Sequence, residues 1–195
     1  MSQPSPQSGH YNVEQYLELA ECGIISPDDR VELLEGIIVA MAPPSPPLDS
    51  SVNRVQYALQ RKLSLDVNVR VQSSLVAGDK SAPQPDLAVV PGSPDDYTRR
   101  HPSQAHLVVE VAFSSVLQDR ITKAAIYARA GIPCYWIVNI RDRCVEVLRD
   151  PDRWKGEYTS VQRLTGSQSL AIDAYPDVLF TADELLPRDP VYRED

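Results

Sequence analysis

Three things are scarce in this chain, and each scarcity closes off a class of protein. Cysteine occurs only at positions 22, 134 and 144, an odd number at spacings that suit neither a disulfide framework nor a tetrahedral zinc site. The thiols are expected to be reduced and mostly buried. Long apolar runs are missing: no stretch approaches the roughly 18 residues that cross a bilayer, and the opening MSQPSPQSGH has no apolar segment of the secretory kind. The expectation is therefore no membrane partner and a cytoplasmic location. Basic residues are outnumbered, with 19 Lys and Arg against 27 Asp and Glu and a formal net charge of −8. Binding to nucleic acid rests heavily on Lys and Arg neutralising phosphates, so any such role here needs a local basic patch. The segment TRRH, Thr98 to His101, with Arg54, Arg61 and Lys62, offers the groups, although each taken singly reads as solvated surface.

What is present is enough for one core. With 195 residues, 43% of them hydrophobic, the chain suits a single domain over 11–190 behind a flexible tail at 1–10. NVEQYLELAECG predicts a short helix with Asn12 as N-cap, Gln15 three residues on and Gly23 as its stop. RVELLEGIIVAMAPP reads as two strands hinged near Gly36 and closed by prolines. Val52, Val55, Leu59 and Leu63 recur at helical spacing behind Asp49 or Ser50 as cap. VNVRVQSSLVAG, DLAVVPG and HLVVEVAFS read as strands, the last two apolar on both faces and so central. SVLQDRITKAAIYARAG is a third helix ended by Gly131 and Pro133. CYWIVNIR and CVEVLRDP form a hairpin around Arg141 and Asp142, and GEYTSVQRL extends the sheet. The order predicts an α/β protein with a mixed central β-sheet flanked by helices.

Two acids break the apolar pattern. Asp86 stands directly behind Pro85 at the head of one strand, and Glu110 sits inside another. If these strands are neighbours, the two carboxylates share one region and repel unless one is protonated or a divalent cation lies between them. Hard oxygen ligands without His or Cys suit Mg²⁺ or Mn²⁺. Such a pair fits metal-assisted phosphodiester hydrolysis, with Lys123 on the following helix as the nearest cation. Asp119, Lys123 and Tyr127 are spaced four apart and occupy one helical face. The plainer readings are an Asp119–Lys123 ion pair, a packing role for Tyr127, surface positions for His101 and His106, and a core position for Tyr135 and Trp136.

QPD at Asp86, VEVA at Glu110, and DRITKAAIYARAGIPCYWIVN together resemble the PD-(D/E)XK nuclease superfamily, in its Uma-family branch of restriction-endonuclease-like proteins. The similarity runs from about Tyr11 to Leu186. It implies a restriction-endonuclease-like core and a metal-dependent endonuclease acting on nucleic acid, DNA before RNA, with homodimerisation open. The acid pair maps onto Asp86 and Glu110 as metal ligands. The superfamily lysine, usually two residues after the second acid, would fall on Ala112 and is carried instead by Lys123. ELLEG matches an early family motif and makes Glu32 an auxiliary acid, with Glu35 as its rival. Phe113 and Cys134 stand where relatives commonly have acids, Asn139 replaces a frequent Asp, and Asp49 sits near a frequent His. A noncatalytic nucleic-acid-binding module and a protein-interaction scaffold are the alternatives.

Overall fold

A computed structural model of the protein describes residues 10–26, 28–43, 45–63, 67–113 and 115–188. Helix α1 (Val13–Glu21) opens the fold. Asn12 caps it, and the reciprocal bonds between Asn12 and Gln15 form the expected capping box. Strands β1 (Val31–Leu34) and β2 (Ile37–Ala40) form an antiparallel hairpin. Its two turn residues, Glu35 and Gly36, both have positive φ, 49° and 87°, the backbone that matches strand twist in a two-residue hairpin. Of the expected flexible tail, residues 1–9 lie outside the described residues. His10 does not hang free, because its Nδ1 lies 3.3 Å from the Glu35 carbonyl. At the other end of the expected domain, residues 189 and 190 are likewise outside the described residues.

Helix α2 (Pro46–Lys62) begins a turn earlier than the Asp49 or Ser50 cap predicted. Ser45 is the N-cap and Pro46 the first helical residue. Proline's fixed φ suits that position, so the proline-rich segment starts the helix instead of closing a loop.

The central sheet has six strands in the order β3 (Val67–Val71), β4 (Leu87–Pro91), β5 (Leu107–Ala112), β6 (Cys134–Asn139), β7 (Cys144–Asp152) and β8 (Glu157–Leu164). Neighbours run antiparallel except β5 and β6. That parallel pair needs a crossover. The chain from Val116 to Ala130 supplies it as α3 (Val116–Gln118), a π-type turn at Asp119–Lys123, and α4 (Ala124–Ala130). The single long helix predicted here is thus interrupted.

Helices cover both faces of the sheet, which is why β4, β5 and β6 are apolar without alternation. Val52, Val55 and Leu59 of α2 pack with Val89, Val109 and Trp136 on one face. Ala124, Tyr127 and Ala128 of α4 pack with Ala88, Val108 and Ile137 on the other. Tyr135 and Trp136 are both fully buried, one on each face, as a core reading requires.

Strand β3 stops at Val71, short of the predicted run to Gly78, because Gln72 turns out of the strand with φ of 44°. Strands β9 (Ser169–Ile172) and β10 (Tyr175–Thr181) and the short helix α5 (Ala182–Leu185) were not predicted. Pro176 masks β10, since proline within a run argues against a strand. Its register also shifts between Tyr175 and Phe180. Tertiary packing fixes the hairpin nonetheless, with Phe180 meeting Trp136 edge-on at 5.7 Å between ring centroids.

The β1–β2 turn is a sensitive point. A Cβ on Gly36 would lie 2.8 Å from the His10 Cβ and 3.2 Å from the Tyr11 carbonyl oxygen, at a φ that L-residues rarely adopt. Gly36→Ala is expected to lower stability by about 1–2 kcal/mol, measured by denaturant unfolding. A change below about 0.3 kcal/mol would show that the turn and His10 relax freely.

Candidate active site

Strand pairing brings the two predicted acids together. Leu87 pairs with Val109 and Ala88 with Val108, so extending the register by one residue sets Asp86 across from Glu110. Opposed residues of an antiparallel pair project to the same face. Asp86 stands just before β4, where its carboxylate accepts the Val111 N–H at 2.8 Å. This is why an aspartate is tolerated behind Pro85: it closes the end of the ladder with a side-chain acceptor. Glu110, in the middle of β5, is only 4% exposed and points toward the crossover.

The crossover answers with a cation and a hydroxyl. Lys123 Nζ lies 3.0 Å from Glu110 Oε1 and 3.5 Å from Glu32 Oε1, and the Tyr127 hydroxyl donates to Glu110 Oε1 at 2.8 Å. In the π-type turn the Ala124 N–H reaches back to the Asp119 carbonyl, which also accepts the Tyr135 hydroxyl at 3.2 Å. One extra residue is thereby accommodated while Asp119, Lys123 and Tyr127 all stay buried.

Glu32 arrives on the β1–β2 hairpin, which docks through a Leu33–Ala82 bridge. The Gln84 N–H donates to Glu32 Oε2 at 3.0 Å. Glu35 goes elsewhere: it lies in the turn and pairs with Arg129 at 2.6 Å on the surface. Glu32 and not Glu35 therefore joins the cluster. The plain reading of Asp119 as the partner of Lys123 is replaced, since Lys123 bridges two glutamates and Asp119 Oδ2 accepts the Ser115 hydroxyl at 3.0 Å. Tyr127 does more than pack. Its contact with Glu110 was foreshadowed only by the four-residue spacing from Lys123. Among the histidines, His106 is half-buried, edge-on to Tyr175 at 5.6 Å, and His101 is half-buried as well.

Acids outnumber the cation here. Burial pushes the Glu110 carboxyl well above its ordinary range against the pull of Lys123, with Asp119, Asp86 and Glu32 adding to the rise. Asp86 is raised mainly by burial, opposed by the Val111 N–H and Lys123. Asp119 is pushed up to about 6, again by burial first. Burial disfavours the charge on Lys123, yet Glu110, Glu32 and Asp119 together outweigh it and raise the ammonium pKa. Tyr127 is held well above its usual value by burial and then by Glu110.

Such a pocket suits added positive charge. Among the described residues no three or more His, Cys, Asp or Glu side chains converge into a cage for an ion. The donor set instead fits a cation that takes one or two carboxylates and completes its shell with water and substrate oxygen, as Mg²⁺ and Mn²⁺ do. Asp86 and Glu110 are the two hard donors on the shared face.

The sheet order, the parallel crossover and the acids on adjacent central strands define a nuclease-like fold. The chain belongs to the Uma2 family, described as putative restriction endonucleases, whose model matches residues 13–183. It is similar in structure to a putative nuclease of the DUF820 group from Anabaena variabilis, with a TM-score of 0.70 at 13% identity over 89% of this chain and 96% of that one. At that identity the likeness concerns the fold. Comparison with curated proteins gave no match. No helix among the described residues is long and apolar enough to cross a membrane.

The electrostatics give a pH signature. With its pKa raised from 3.8 to about 6, Asp119 holds a proton more tightly folded than unfolded. Its contribution to stability is thus present below about 4 and lost as pH rises through about 6. Asp119→Asn, which keeps an acceptor for Ser115, should therefore stabilise the metal-free protein by about 1–2 kcal/mol at pH 7.5 and by little at pH 4.5. Urea unfolding at the two pH values checks this, and equal effects at both would remove the assigned cause.

Proposed function

We propose that the protein is a Mg²⁺- or Mn²⁺-dependent endonuclease that hydrolyses phosphodiester bonds, with DNA as its substrate. The observation that supports this most is the buried Glu110–Lys123–Glu32 bridge on the face that Asp86 shares. A bare structural ion pair needs one acid for one base, whereas here several acids crowd one ammonium. Family membership supports the nuclease class.

In this reading Asp86 and Glu110 would hold the metal ion, which would supply polarisation of a phosphoryl oxygen and a more acidic water. Lys123 stays protonated across the neutral range, so it is not a proton acceptor. Its ammonium meets the negative charge that grows on the phosphoryl oxygens as the water attacks, an interaction worth most in a site shielded from solvent. Glu32 anchors that ammonium from the side of the hairpin. Tyr127 fixes one oxygen of Glu110 and leaves the other for a ligand. The Val111 N–H restrains Asp86 in the same way. Restraint of this kind lowers the cost of organising the site when substrate arrives.

Cleavage of supercoiled and single-stranded DNA with Mn²⁺ at low salt tests the proposal. Glu110→Gln keeps an acceptor for Tyr127 and should fold, bind DNA within a few-fold of wild type, and cut at least about 10²-fold more slowly. Lys123→Met should lose cutting similarly, but also lose about 3–5 kcal/mol of stability because it strands two buried acids. Cutting by Glu110→Gln at the wild-type rate would overturn the proposal. A wild type that binds without cutting would favour the binding module, and one that does neither would favour the scaffold.

A further inference from the structure

A second cationic site lies on the same face of the sheet, at its open edge. Arg70 is on β3, the edge strand, and pairs in register with Ala88 of β4. Ala88 belongs to the core on the α4 face. Since Asp86 precedes Ala88 by two, and Glu110 lies opposite Asp86, the side chains of Arg70, Asp86 and Glu110 leave the sheet on one side. The Gln72 side chain, just past the end of β3, helps to hold the Asp86 pKa down.

Arg70 lacks what a structural arginine normally has. None of the ion pairs among the described residues includes it, and its Nε is buried without a hydrogen-bond partner. Buried donors of this kind are normally satisfied, so an orphan asks for an explanation. The guanidinium lies over the Tyr97 ring, 5.6 Å from the centroid, which orients it without neutralising it. The same loop carries Arg99 and Arg100, both exposed, and half-buried His101. Burial, and then the charge of Arg70, lowers the His101 pKa, as expected beside an uncompensated cation. In a chain of net charge −8, Arg70 and the loop that bears Tyr97 and His101 thus bring positive groups together at the β3 edge of the sheet.

We infer that Arg70, with Arg99, Arg100 and His101, forms a subsite for the phosphodiester backbone of the nucleic-acid strand, adjacent to the scissile position. The inference rests on the nuclease reading for its orientation. Two residues of strand and one inter-strand spacing separate Arg70 from Asp86, about 6–7 Å by about 4.8 Å. That sets the Arg70 backbone one step along the sheet from Asp86, with its guanidinium held over Tyr97 toward the Pro91 end of β4. Arginine suits the task because its planar fork meets two phosphate oxygens at once, and Tyr97 holds that fork in place.

The test is fluorescence anisotropy of a labelled oligonucleotide with the unmodified chain and variants in EDTA, across a salt titration, so that binding is read without turnover. Arg70→Gln should bind about 10-fold more weakly, with a slope of log K against log salt shallower by about one. Arg163→Gln, on β8 at the opposite edge of the sheet, should leave both unchanged. Equal loss in the two variants, or none in Arg70→Gln, overturns the subsite. Inorganic phosphate at matched phosphate concentration should compete poorly, and equal competition would mean a free-anion pocket and overturn the backbone reading. If Arg70→Gln fails to fold, the wild-type protein still decides: oligonucleotide should shift the His101 imidazole resonances, and binding that leaves them unmoved overturns the subsite. Cutting with Mn²⁺ but without any dependence on Arg70 removes the subsite and leaves the nuclease. Binding through Arg70 with no cutting removes the nuclease and leaves the subsite.

Discussion

The bridge from Lys123 to Glu110 and Glu32 ties three separate parts of the molecule together at one nitrogen. Glu110 belongs to the central sheet, Lys123 to the crossover, and Glu32 to a hairpin that is not part of that sheet. Taking these charges out of water is expensive, and their attraction offsets the cost only when the remaining donors and acceptors are also used. They are: Tyr127 donates to Glu110, and the Gln84 N–H donates to Glu32. Hydrophobic packing of the same volume is often as stable as a buried ion pair, or more so. A polar joint of this kind is weak evidence for stability in itself.

The interrupted helix follows from this joint. A regular α-helix over the crossover would place Lys123 and Tyr127 in a fixed relation to Asp119 and leave little freedom to aim the ammonium. The π-type turn adds a residue there, and the Tyr135 hydroxyl helps to satisfy the carbonyl that the wider turn exposes. Tyr135 is itself on β6, and its ring packs 5.0 Å from that of Tyr127. The sheet, the turn and the two tyrosines thus fix one another, with the carboxylate and ammonium at their centre.

Much of this was legible in the residues. Continuous apolar runs marked the buried strands, the Asn12–Gln15 pair marked the first helix, and an acid inside a buried run marked Glu110. The choice between Glu32 and Glu35 was not legible, because a hairpin's turn type decides which residue faces inward. The positive φ of Glu35 is a property of the turn that no spacing rule shows. Arg70 was equally hidden: on an edge strand a lone arginine looks like solvated surface until the register places it on the face of Asp86. The β9–β10 hairpin escaped because tertiary packing under Trp136 overrides the proline that local reasoning counts against it.

The hairpin carrying Glu32 has one further consequence, which concerns time. Its link to Gln84 spans 52 positions of chain, and the parallel β5–β6 pair cannot form until the crossover is complete. Contacts this distant in sequence are slow to form, because the entropy of closing the loop comes before any contact rewards it. The acids and the lysine become neighbours only when the chain from the hairpin to the crossover has been made and collapsed. A chain that stops short of the crossover therefore carries the acids without the ammonium that joins them.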